Sequence, residues 1–137
     1  MSTKTYVYFA VFDFGDDPQV VSAIMGLEPT GAWVKGERYD SASPSARRTH
    51  SRWFLESGLD QAEALEPQLD ALLAKLELRH AQVALIHARF RAHIAIAQYF
   101  HERNPGFVLT PKTLARVAKL GLAVDFDQYC LGGEQSS

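Results

Sequence analysis

Trp33, Lys35, Glu37, Arg48, His50 and Arg52 are the residues whose types suggest recognition chemistry. A guanidinium group meets carboxylates and phosphates through paired, charge-assisted hydrogen bonds. A tryptophan adds a large apolar face with one N–H donor. The segment ARRTHSRW, from Ala46 to Trp53, concentrates three arginines and a histidine behind a Ser/Pro-rich stretch. Loops on a rigid scaffold are where binding residues gather. If 50–57 is a strand, Arg48, His50 and Arg52 fall on its wet side and Ser51, Trp53 and Leu55 on the buried one, because side chains alternate. With Trp33 and Trp53 nearby, the arginines compose an aromatic and cationic surface for a protein partner or a small anionic ligand. The structural alternative makes both tryptophans core anchors and the arginines guardians of an edge strand.

A second constellation is acidic. Asp13, Asp16 and Asp17 follow the first strand, while Asp125 and Asp127 share one face of the last. Were those strand ends to meet, Asp13, Asp125 and Asp127 could serve acid–base chemistry or a divalent cation. Against this, Asp17 is suited to cap a helix and the rest to be solvated strand ends. His50, His80, His87, His93 and His101 form no helical metal-ligand pair, and no metal site is expected. Gly26, Gly31 and Gly36 build no phosphate loop, and there is no G-x-S-x-G nucleophile motif. Cys130 stands alone, without a base or a second cysteine. No cofactor is implied.

The bulk properties bound the class. The chain has 137 residues, 47% of them apolar, enough for one domain with its own core. Its net charge of -2 argues against a general nucleic-acid binder. No signal peptide is expected, and no apolar run approaches the ~20 residues of a membrane span. A cytoplasmic protein without membrane contact is expected. The ends, at about 1–4 and 132–137, and the segment 40–46 are the expected flexible parts.

These residues need a scaffold. Thr5 to Phe14 predicts a central strand, apolar or aromatic on both faces. Asp17-Pro18 starts a helix whose stripe is Val20, Val21 and Ile24, and Gly26 stops it. A short strand follows at 33–38, then the strand 50–57. Leu65, Leu69, Leu72, Leu73 and Leu76 set a helix with Pro67 in its first turn. Residues 81–89 read better as a short helix than a strand. The segment 90–100 is a strand with Ile94, Ile96 and Phe100 on one face and His93, Ala95, Ala97 and Tyr99 on the other. Thr110-Pro111 opens a last helix with Leu114, Val117 and Ala118 inward. A strand at 122–129 closes the order β-α-β-β-α(α)-β-α-β. The predicted class is α+β, a ferredoxin-like βαββαβ sandwich with an appended helix and strand.

The stretches MGLEPTGAWVKGE (Met25 to Glu37), WFLESG (Trp53 to Gly58), LEPQLDALLAKL (Leu65 to Leu76) and LARVAKLGLAVDFDQY (Leu114 to Tyr129) span nearly the whole chain. In order and spacing the sequence resembles a bacterial family of domains of unknown function, number 4279. Gly26, Pro29, Thr30, Gly36, Glu37, Trp53, Ser57, Asp127 and Tyr129 stand at the family's pattern positions, and Met25 replaces the usual leucine. The resemblance implies one small bacterial α+β domain and a second short helix after the leucine helix. It supplies no catalytic residue. The leading expectation is therefore a non-enzymatic protein- or ligand-binding module, of which an immunity protein is one example by analogy. The alternative is a small enzyme using the carboxylates. A homodimer burying one tryptophan is a third reading.

Overall fold

A strand through Lys4–Phe12 presents Thr5, Val7, Phe9 and Val11 to one side and Tyr6, Tyr8, Ala10 and Phe12 to the other, so both sides need company. The computed structural model describes residues 3–39 and 46–132 and puts this strand, β1 (Lys4–Phe12), in the middle of a five-stranded sheet. The other elements are α1 (Gln19–Met25), β2 (Gly31–Trp33), β3 (Arg52–Glu56), α2 (Leu65–Glu77), α3 (His80–Arg89), β4 (Arg91–Phe100), α4 (Pro111–Lys119) and β5 (Ala123–Cys130). The sheet order is β2-β3-β1-β4-β5. β2–β3, β3–β1 and β1–β4 are antiparallel, whereas β5 lies parallel to β4. The protein is thus a mixed α and β fold with four helices among the described residues.

Burial separates the two faces of the sheet. Val7, Phe9, Val11, Trp53, Leu55, Ile94 and Ile96 join one cluster with Val21 and Met25 of α1, the leucines of α2, Val83 and Ile86 of α3, and Val117 of α4. Leu69, Leu72, Leu73 and Leu76 are fully enclosed, and each contributes about 1.5–3 kcal/mol by leaving water. Gln68, at 2% exposure, is the polar member of that helix face. Its amide donates to the carbonyls of Thr5 (2.7 Å) and Glu63 (3.0 Å), which satisfies it and ties α2 to the start of β1. Because the buried residues of all four helices join this one cluster, the opposite face of the sheet has no helical cover among the described residues.

Several local expectations are corrected. β2 ends at Trp33 and β3 begins only at Arg52; residues 46–51 are outside the strand apart from the Arg38–Arg47 bridge. In α1 the buried stripe is Val21, Ser22 and Met25, with Ile24 half-buried and Val20 exposed. That rotation lets Ser22 accept the Trp53 indole N–H at 3.0 Å. In α4, Thr113 and Val117 are buried, while Leu114 and Ala118 are exposed. There the exposed-side Arg116 reaches Asp70 and Glu77 of α2 at 2.9 and 2.8 Å and sets the helix's rotation. Asp17 does receive the Gln19 N–H, at 3.0 Å, although the regular helix starts one residue after Pro18. Gly26 ends α1 in the left-handed conformation, φ 68°. No helix among the described residues is long and apolar enough to cross a membrane. The segment 40–45 and the ends 1–2 and 133–137, where chain flexibility is expected, lie outside the described residues.

Candidate functional site

The uncovered face of the sheet is built by register. Across β1 and β3, Tyr8 stands opposite Glu56, Ala10 opposite Phe54 and Phe12 opposite Arg52. On the other side, Tyr6 faces Ala97, Tyr8 faces Ala95 and Ala10 faces His93. β2 adds Trp33 opposite Arg52, and Gly31 opposite Phe54. β5 adds Asp125, Asp127 and Tyr129 opposite Ala95, Ala97 and Tyr99. Period-two alternation therefore delivers a sheet surface of aromatic rings, with alanines forming a low floor on β4.

One edge of this surface alternates rings with guanidinium groups. The Arg48 guanidinium carbon lies 3.8 Å from the Trp33 ring centre and 4.2 Å from that of Tyr39. Arg52 sits among four rings: Tyr8 at 4.7 Å, Phe12 at 5.4 Å, Trp33 at 5.7 Å and Phe54 at 5.8 Å. Arg91 follows, 4.8 Å from Phe12, and alone among the three has a carboxylate, Asp13 at 3.6 Å. Among the described residues neither Arg48 nor Arg52 has an ion-pair partner. Their Nε atoms are buried, without a hydrogen-bond partner among the described residues. Each stacking is worth about 0.5–2 kcal/mol, so the rings hold the guanidinium planes in place without neutralising their positive charge.

Beside Arg52 the surface dips into a slot of about 370 Å³ lined by Tyr6, Tyr8, Trp33, Arg52, Phe54, Glu56, Gln61, Ala97 and Tyr99. The tilted Tyr8–Phe54 and Trp33–Phe54 ring pairs, centres 5.7 and 5.8 Å apart, form its wall toward β2. Gly31 leaves room for this ring: a Cβ on it would stand 2.6 Å from the tip of Phe54 and push it aside. Tyr6 and Tyr99 meet edge to face at 5.7 Å at the other end, and Tyr99 stacks on Tyr129 at 4.9 Å. Burial, and then the neighbouring phenol of Tyr129, hold the Tyr99 hydroxyl above the usual phenol range, so it is a neutral donor and acceptor. His93, against Phe12 at 5.1 Å, has its imidazole pKa pushed down by burial, which the Asp125 carboxylate 3.9 Å away opposes.

The sequence-derived residues are thereby divided. Trp33, Arg48 and Arg52 are brought together on the open face. Trp53 is 0% exposed on the helical face, so the two tryptophans do not form one surface. Lys35 and His50 line a separate cavity of about 650 Å³ with Asp13, Asp16, Ser51 and others. The alternation expected through His50 does not exist, because residues 46–51 are not paired as strand. Glu37 holds the Arg48 loop through its backbone, its carbonyl accepting the Arg48 N–H at 2.8 Å. Asp125 and Asp127 share the open face, but Asp13 is beyond the end of β1, two strands away (about 10 Å across the sheet) and offset by about 16 Å or more along the strands. The three carboxylates are not assembled. Among the described residues no three His, Cys, Asp or Glu side chains are grouped to hold a metal ion.

Tyr6, Tyr8, Phe12, Tyr39, Phe54 and Tyr99 were not singled out by residue type. For Tyr6, Tyr8, Phe12 and Tyr99 the signal was present in the alternation of β1 and β4, where tyrosines opposite alanines mark a face that is apolar yet reaches water. The chain belongs to the family described as Domain of unknown function (DUF4279), whose model matches residues 3–131. No curated protein and no solved structure matches it.

Proposed function

We propose that this family member is a non-enzymatic binding module that seats a small anionic ligand with a planar body on the open face of its sheet. The observation that carries the reading is Arg52, a guanidinium held among four rings at the mouth of an aromatic slot, with no carboxylate partner among the described residues. A fixed guanidinium plane recognises a carboxylate or phosphate through two parallel hydrogen bonds. The rings beside it provide stacking area at low conformational cost. The slot falls within the ~300–1,000 Å³ typical of small-ligand sites. Strand order β2-β3-β1-β4 with alternating directions supports a ferredoxin-like βαββαβ unit as the scaffold, with α4 and β5 appended beside β4.

Trp33 fluorescence and calorimetry test the reading with phenyl phosphate and benzoate against phenol. The anions are expected to bind at millimolar concentration or better, with phenol about tenfold weaker, and Arg52→Gln should abolish the difference. Equal binding of phenol and the anions, or an Arg52→Gln chain that still prefers the anions, would overturn it.

A further inference from the structure

The slot has two chemically different ends. Arg52 marks one. Glu56 lines the same slot, and among the described residues its carboxylate has no cation within 4.0 Å; Lys75 donates instead to the Glu56 backbone carbonyl at 3.1 Å. An ionised carboxylate only accepts hydrogen bonds, so an occupant must bring a donor there. Gln61, whose carbonyl accepts the Thr5 N–H at 2.8 Å, lines the slot on the side away from Arg52 and offers an amide that both donates and accepts. Between these polar groups are Tyr6, Tyr8, Phe54 and Tyr99 over the methyl floor of Ala97.

We infer that the ligand is a mononucleotide whose base carries an exocyclic amine; this rests on the anion-binding reading of the same slot. Its phosphate meets the Arg52 guanidinium. Its base stacks among the tyrosines and Phe54, as bases stack on the aromatic faces of sheets. Its amine donates to Glu56, and an adjacent ring nitrogen suits the Gln61 amide. The charge layout selects a monomer over a strand. The arginines sit at one end only, and a polyanion crossing the face would meet Glu56, Asp125 and Asp127. The net charge of -2 points the same way.

Calorimetric titration of the full chain with AMP, CMP, UMP, inorganic phosphate and a short single-stranded oligo(dA) distinguishes the cases. AMP and CMP are expected to bind about tenfold or more tightly than UMP, because uracil puts a carbonyl oxygen where their amine would face Glu56 and an N–H donor where their ring nitrogen accepts. Glu56→Gln should bring AMP and UMP within about threefold of each other, since the amide can serve either base. Tyr6→Leu, on the open face, is a second variant and should weaken both nucleotides about equally. UMP equal to AMP in the wild-type chain, or a preference for AMP that survives Glu56→Gln, overturns the assignment, as does oligo(dA) binding tighter than AMP. If phenyl phosphate binds in an Arg52-dependent way while no nucleotide does, the nucleotide assignment fails and the anion site stands. If Arg52→Gln changes none of these affinities, both fall.

Discussion

Replacing Trp53 by phenylalanine separates the two tryptophans energetically. Trp53 is 0% exposed, packs edge to face on Phe9 at 6.3 Å, and donates its indole N–H to the Ser22 hydroxyl at 3.0 Å. Phenylalanine keeps one ring but vacates the space of the second, costing about 1–2 kcal/mol in lost burial and cavity. It also leaves a buried Ser22 hydroxyl without its donor, about 1–2 kcal/mol more. The expected total is about 2–4 kcal/mol, a fall in Tm of about 8–14 °C for a chain of this size. Trp33→Phe, on the half-buried open face, should cost less than about 1.5 kcal/mol. Thermal and urea unfolding by far-UV circular dichroism measure both. Ser22→Ala completes a double-mutant cycle, in which the coupling between Ser22 and Trp53 should be about 1 kcal/mol or more. Equal losses for the two tryptophans, or a coupling near zero, would refute the assignment of Trp53 to the core and of its N–H to Ser22.

Gly31→Ala should destabilise the protein by about 1–3 kcal/mol, because the new methyl must displace the Phe54 ring that walls the slot; an unchanged Tm and unchanged ligand affinity would contradict the close approach. Arg116→Gln tests the clamp between α4 and α2. The Arg116 hydrogen bond holds the Glu77 carboxyl below its ordinary pKa, so the clamp stabilises the fold at neutral pH and is lost as pH falls from about 4.5 through the lower folded value. The stability gap between wild type and Arg116→Gln should therefore close in acid, as urea midpoints at pH 7 and pH 3 will show. For His93 the folded pKa is depressed, chiefly by burial. As pH drops below about 6.5 the unfolded chain takes up a proton that the native imidazole resists, and stability declines. His93→Gln should flatten that part of the stability profile, read from urea midpoints at pH 7.5 and 5.5.

Much of the scaffold was legible because its signals are local. The leucine spacing of α2, the Thr110-Pro111 start of α4 and the Gly26 stop each express backbone chemistry carried by a few neighbouring residues. The stripes of α1 and α4 were less legible because partners distant in sequence decide them. Ser22 turns inward for the Trp53 indole, and Arg116 binds carboxylates on α2. The site was half legible for the same reason. Residue type alone singled out Trp33, Arg48 and Arg52. The slot they rim is made by register between β1, β3 and β4, and no single stretch contains it. Lys35 and His50 were misplaced because the two strands they were assigned to, 33–38 and 50–57, were each drawn too long.

The central position of β1 bears on how the chain is made. The central strand precedes both of its partners in the chain, and they arrive late: Phe9 pairs with Leu55, then with Ile94. During synthesis β1 therefore emerges ahead of both partners, with apolar residues on both faces, and one of its edges stays unpaired until β4 has followed. Long-range pairing of this kind slows folding. Interrupted translation before β4 should thus leave a sticky nascent chain in need of a chaperone, whereas truncation after β4 leaves the sheet around β1 closed on both sides.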